Sequence, residues 1–186
     1  PYVQDMASRM GPTEETVYAG LKKTYDGYHF CEKGVDVYNP FSLINALNDG
    51  EMDHYWASSG GTKMLMDAVD EIGWHAGSFE NVPIDKLQLK DSDVNKTNLS
   101  LFLYQSGYLT IKDNDEDFYY LGIPNEEVAR AIYQQILPRL LSKKESEVDS
   151  NIIRMRMALR KQDIRGLMDN LTALVADPPS SHATSQ

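Results

Sequence analysis

The sequence predicts an α+β fold, mainly α with a small β component, and three observations carry that prediction. Apolar residues recur at three- and four-residue spacing through most of the chain. One acidic turn, Asp113-Asn114-Asp115-Glu116-Asp117, lies between two short runs of strand character. The segment Ile164, Leu167, Met168, Leu171, Leu174 and Val175 is the cleanest amphipathic pattern in the chain. A length of 186 residues with 41% hydrophobic residues is enough for one domain, or two small ones, with real cores.

In chain order, Tyr2 to Met10 reads as the tail of an earlier helix, broken by Gly11-Pro12. Thr13 is a good N-cap. Glu14 and Glu15 in the first turn and Lys22 and Lys23 in the last match the helix dipole. Val17, Leu21 and Tyr25 then face a core. Gly27 allows a turn, and Cys31 to Val35 reads as a hairpin tip or loop. Asn39-Pro40 starts the next helix, because proline at the first helical position gives up a donor that had no partner anyway. Phe41, Ile44 and Leu47 share one face of it, and Asp49-Gly50 ends it.

Asp53-His54-Tyr55-Trp56 leads into a Ser-Ser-Gly-Gly break, followed by an expected helix from about Thr62 to Ile72 and a loop from Gly73 to Pro83. Ile84, Leu87 and Leu89 suggest a short strand or a turn of helix, and Asp91 to Asn98 is a polar boundary. Leu99 to Gln105 is apolar enough for a buried helix, stopped by Gly107. Tyr108 to Lys112 and Phe118 to Ile123 are strands around the acidic turn, so helix, strand, turn and strand resemble the end of a winged-helix fold with a two-stranded wing. Val128, Ile132, Ile136 and Leu140 mark a helix that Pro138 should kink or end. Ser142 to Ser150 reads as a charged link. A helical hairpin follows, its second helix capped by Asp163, and residues after Asp177-Pro178-Pro179 should be disordered. The expected divisions are 1–95, 96–144, 145–177 and a tail at 178–186.

No apolar run approaches a membrane span, and no leader pattern is present, so no membrane partner is expected. Cys31 stands alone, which fits a reducing cytoplasm. The net charge of -10 argues against nucleic acid as a partner. A chain beginning at Pro1 is expected to be processed or a piece of a longer protein.

The segments Tyr25-Asp26-Gly27-Tyr28-His29-Phe30, Tyr38-Asn39-Pro40-Phe41-Ser42-Leu43, Tyr55-Trp56-Ala57-Ser58-Ser59-Gly60, Leu103 to Ile111 and Leu121-Gly122-Ile123-Pro124-Asn125-Glu126-Glu127-Val128 form a set. In order and spacing the set resembles a bacterial AAA-ATPase-like family, in which a P-loop ATPase domain precedes a C-terminal PD-(D/E)xK nuclease-like module. The resemblance runs from about Tyr2 to Asp177 and covers the region between those two modules. It implies a helical lid-like part, a winged-helix part and a hairpin leading toward the nuclease module. The partners it implies are the upstream P-loop domain and the downstream nuclease-like module of the same chain. ATP and Mg are implied for the parent protein, with no cofactor in this chain. By the same resemblance Asn39, Pro40 and Phe41 face adenosine, while the aromatic turn Tyr25, Asp26, Gly27, Tyr28 and His29 holds their helix.

Neither catalytic motif is in the chain. A P-loop needs Gly-Lys before Ser or Thr to cradle phosphates, and Gly-Lys never occurs. The nuclease motif needs an acidic residue two before a lysine, and no lysine has one. Asp113, Asp115 and Asp117 begin like a calcium loop, but Phe118 stands where Gly is needed and Pro124 where Glu is needed. His29, His54, His75 and His182 show no metal-ligand spacing with Cys31 or one another, and His29 is expected to be packed or hydrogen-bonded in the aromatic cluster. No catalytic and no metal residues are therefore expected. The expected function is a non-catalytic lid and winged-helix region coupling nucleotide state to a nuclease-like module. The alternative is a protein-interaction module without nucleotide contact, using the last two helices. DNA recognition is disfavoured by the acidic wing.

Overall fold

The computed structural model describes residues 2–56, 65–66, 79–90 and 99–176. The chain divides into two compact units, Pro1–Ile132 and Tyr133–Gln186. Among the described residues the fold is mainly helical with one small antiparallel sheet, the α+β class that the sequence predicts.

The first unit opens with three helices, α1 (Tyr2–Met10), α2 (Glu14–Tyr25) and α3 (Pro40–Asp49). Tyr2 to Met10 is a helix in its own right. Met6 and Ala7 from it join Val17, Leu21, Tyr25 and Ala46 in one buried cluster, with Leu43, Leu47, Met52 and Tyr55 packed around it. Each fully buried aliphatic side chain of this kind stabilises the fold by about 2 kcal/mol. The Thr13 hydroxyl caps α2 by accepting from the Thr16 amide at 3.3 Å. Gly50 ends α3 in the left-handed region at φ 73°, its amide donating to Ala46 O. Between α2 and α3, Tyr28 and Val37 pair across the expected hairpin tip, with N–O distances of 3.2 and 2.9 Å.

The short strand suggested around Ile84 begins earlier than the sequence reading had it and joins the wing as a third strand. β1 (Val82–Asp85), β2 (Thr110–Asn114) and β3 (Phe118–Gly122) lie in the order β1-β3-β2, all antiparallel. Val82 sits opposite Leu121, and Thr110 opposite Gly122. Val82 and Pro83 are therefore strand, not loop, and the two-stranded wing is a three-stranded sheet. Pro83 misleads because proline cannot donate to a ladder, yet an edge strand tolerates it, and β1 is an edge. Directly after it comes the short helix α4 (Lys86–Lys90), so both readings of Ile84 to Leu89 apply in turn.

Helix α5 (Leu99–Gln105) buries Leu101, Phe102 and Leu103. Tyr108 and Leu109 are not strand: both amides donate to Leu103 O, at 2.8 and 3.1 Å, closing the helix end through Gly107 at φ 78°. Strand β2 consequently starts at Thr110 and runs into the acidic stretch. The Asp115 carboxylate accepts from the Asp117 and Phe118 amides and from the Tyr120 hydroxyl, which makes the β2–β3 turn an Asx turn.

Helix α6 (Glu126–Leu140) buries Val128, Ile132 and Ile136, while Leu140 is exposed. Pro138 does not end it, because only two residues remain beyond it and the lost donor falls near the frayed end. The second unit contains the expected hairpin of α7 (Glu145–Arg160) and α8 (Ile164–Val175), which pack together. The charged link read at Ser142 to Ser150 is a correction: α7 begins at Glu145, and its first-turn Glu145 and Glu147 favour the helix dipole rather than a loop. Asp163 caps α8, accepting from the Gly166 amide at 2.9 Å. Leu65 and Met66 are helical and buried. The rest of the Thr62 to Ile72 helix, the loop around Trp74, the boundary at Asp91 to Asn98 and the tail after Asp177 lie outside the described residues.

Candidate functional site

The aromatic turn that follows α2 is held from both sides. Gly27 has φ 97°, and a side chain there would collide with the carbonyl oxygen of Pro124. Only glycine both adopts that conformation and lets the two backbones meet. On the other side, the Asn39 amide donates to Tyr25 O at 2.8 Å. His29 is tied to β2: its backbone amide donates to Thr110 Oγ1 at 2.6 Å, and that hydroxyl donates back to His29 O at 2.9 Å. Its ring Nδ1 lies 3.0 Å from Asp36 Oδ1. The Tyr28 hydroxyl donates to Gly107 O at 3.2 Å, and burial pushes its pKa up despite the neighbouring Asn39 amide.

The residues before α6 complete the joint. Asn125 donates through Nδ2 to Asp26 O at 3.0 Å and accepts the Val128 amide on Oδ1 at 3.1 Å, so one side chain both caps α6 and ties it to the turn. Lys112 Nζ donates to Pro124 O at 3.2 Å. The Glu127 side chain is wholly buried and accepts the Trp56 amide on Oε1 at 2.8 Å. Trp56 in turn meets Tyr108 edge-on, ring centres 4.7 Å apart. The Tyr25 hydroxyl donates to Asp53 O at 2.7 Å, and the Arg130 guanidinium donates to His54 Nε2 at 2.5 Å, which places the ring proton on Nδ1. The described residues of the five motif segments thus converge on one buried polar joint.

Electrostatically the joint is under-compensated. Burial pushes the Glu127 carboxyl up, and the Trp56 amide, the Ser42 hydroxyl and the Tyr55 amide pull it partly back. Among the described residues Glu127 Oε2 and Ser42 Oγ are both buried without a well-formed hydrogen bond, so Ser42 acts on the carboxylate as a nearby dipole rather than a bonded donor. Asp26 Oδ1 is likewise buried with no partner among the described residues. Unpaired buried acceptors of this kind usually cost about 1–3 kcal/mol each. Tyr25 is also pushed up, first by burial and then by the Glu127 charge.

The nucleotide-proximal candidates divide. Asn39 Oδ1 accepts from the Phe41 and Ser42 amides, at 3.0 and 3.3 Å, so it is a helix cap whose acceptor is spent. Pro40 is the first helical residue. Phe41 is 52% exposed, and Ile44 beside it is 57% exposed. Both point away from the core, whereas Leu47, read on the same face, packs against it with Leu43, Ser42 and Ala46. Tyr25, Asp26 and Tyr28 are buried. Among the described residues no group of three His, Cys, Asp or Glu side chains is placed to hold a metal ion, and no helix is long and apolar enough to cross a membrane. Sequence reasoning missed Ser42, Asn125 and Glu127 as members of the joint. Asn125-Glu126-Glu127 looks like an ordinary acidic helix start, and nothing local distinguishes the buried Glu127 from its exposed neighbour Glu126, which pairs with Lys23 at 2.7 Å.

No protein-family model matches the chain, and no solved structure matches it significantly. The chain is similar to an uncharacterized protein in the vnfD 5' region of Azotobacter chroococcum mcd 1, with 28% identity over 163 residues. That match takes in 86% of this chain but 31% of the relative, so the chain spans about a third of the relative's length.

Proposed function

We propose that the chain is a non-catalytic coupling region, the lid and winged-helix part of a larger P-loop ATPase, relaying nucleotide state to a downstream nuclease-like module. The ATPase and nuclease sides of this reading rest on the motif resemblance. What supports the coupling role is the convergence of those same motifs on one joint: Gly27 against Pro124, Asn125 on Asp26, and Glu127 on Trp56. A joint of this kind makes α3, the sheet and the start of α6 move as one body, which a lid that rotates on its hinge requires. Because Asn39 occupies the first amides of α3, this chain offers the nucleotide the exposed Phe41 ring, suited to stacking on a base. The phosphates and magnesium are assigned to the upstream domain. The exposed single thiol of Cys31 fits a reducing cytoplasm.

The test is photolabelling with an 8-azidoadenosine nucleotide, on the protein at the length its own cell makes it. The reading expects label between Asn39 and Ile44 that ATP competes away, and its loss in Phe41→Ala. Label confined to other parts of the protein, or none that ATP displaces, would overturn it. The interaction-module reading has its own support in the exposed apolar side chains of the α7–α8 hairpin, Ile153, Met157, Ile164 and Met168 among them.

A further inference from the structure

The charge of the chain is unevenly divided. Residues 133–186 carry eight Lys and Arg against six Asp and Glu, whereas residues 1–132 carry ten against twenty-two. The basic excess gathers at the α7–α8 turn, where Arg154, Arg156, Arg160, Lys161 and Arg165 accompany one acid, Asp163. That acid is spent capping α8. All five cations are exposed, and among the described residues none has an ion pair or a side-chain hydrogen bond.

An apolar stripe runs away from this cationic turn along α8. Ile164, Met168, Leu171 and Val175 step by four, three and four residues, the spacing at which a helix presents a seam to another helix. Ile164 is 66% exposed, Met168 52% and Val175 61%. They add a second stripe to the one that contains the buried Leu174, so α8 is apolar on more of its circumference than packing in the hairpin uses.

We propose that the hairpin docks an acidic amphipathic helix of another protein. Its apolar edge lies along Ile164, Met168, Leu171 and Val175, and its carboxylates meet Arg160, Lys161 and Arg165. The heptad spacing selects a helix, and the uncompensated cations select its charge. A polyanion fits less well: residues 145–175 hold no aromatic side chain for base stacking, and the chain as a whole is at -10. A lipid surface fits less well for the same reason, since interfacial helices anchor through Trp or Phe and residues 145–175 hold neither. The proposal stands independently of whether Phe41 meets a nucleotide.

The experiment measures fluorescence anisotropy of a synthetic peptide of about three heptads, with Leu at the seam and Glu on its flanks, against the full chain. A twin with Lys in place of Glu is the control. The Glu peptide is expected to bind at least about tenfold tighter than its twin. Met168→Glu, and separately the pair Arg160→Glu and Arg165→Glu, should each weaken it by about tenfold. These positions are exposed, so unchanged circular dichroism checks that the variants fold. Equal binding of both peptides, or no response to either variant, would overturn the proposal. So would stronger retention by phosphatidylserine vesicles or duplex DNA, or a Met168-sensitive dimer of the chain alone, each of which names a different occupant.

Discussion

At the scale of single residues, Glu127 decides most. It is a carboxylate with no exposure, one amide bonded to Oε1, and a second oxygen without a partner among the described residues. Because burial raises its pKa in the folded chain, the native state keeps its proton to a higher pH than the unfolded chain does. Its contribution to stability is full below the ordinary glutamate range and is lost as pH rises through the raised value. Glu127→Gln keeps the shape and the acceptor for the Trp56 amide but removes the ionisation. The native sequence should therefore lose stability relative to this variant as pH rises above the ordinary glutamate range. Urea midpoints of the two proteins across that range measure it, and parallel curves would show that Glu127 does not carry the proton linkage.

Among the elements, α3 shows how much one capping side chain determines. Asn39 satisfies two amides at the start of the helix, and its own amide fixes the return of the chain beside Tyr25. Asn39→Ala should cost about 1 kcal/mol, whereas Asn39→Asp, which keeps the acceptor, should lose less. Equilibrium urea unfolding distinguishes the two, and equal losses would place the role of Asn39 elsewhere than in the cap. The start of α3 was legible in the sequence because Asn-Pro is a local signal. The start of strand β1 and its pairing were not, since its partner β3 lies more than thirty residues downstream and Pro83 reads locally as a break. The start of α7 was misread for a related reason: charge density marks both solvated links and helix first turns.

For the whole molecule, the five cations at the hairpin turn make no ion pair among the described residues. Arg160→Glu loses a favourable charge in the last turn of α7 and Arg165→Glu gains one in the first turn of α8, so the pair should change the unfolding free energy by no more than about 0.5 kcal/mol. A larger loss in thermal or urea unfolding would mean that these cations serve folding and would weaken their assignment to a partner. The same scale explains why the joint was hard to foresee. Each of its motif segments was visible as a string of residues. That Gly27 meets Pro124, and that Glu127 rather than Glu126 turns inward, depends on where α6 begins against the sheet.

By itself the sequence determined the class of the fold, the caps at Thr13 and Asp163, the helix start at Asn39-Pro40, the core face of α2 and the amphipathic hairpin. All of these follow from signals within one or two helical turns, where spacing and local hydrogen bonding dominate. The tertiary structure alone decided the pairing of β1 with β3, the buried carboxylate and the stripe of α8 left facing outward. Those depend on which surfaces meet, because burial is a property of a pair of surfaces and no single helix or strand carries it alone.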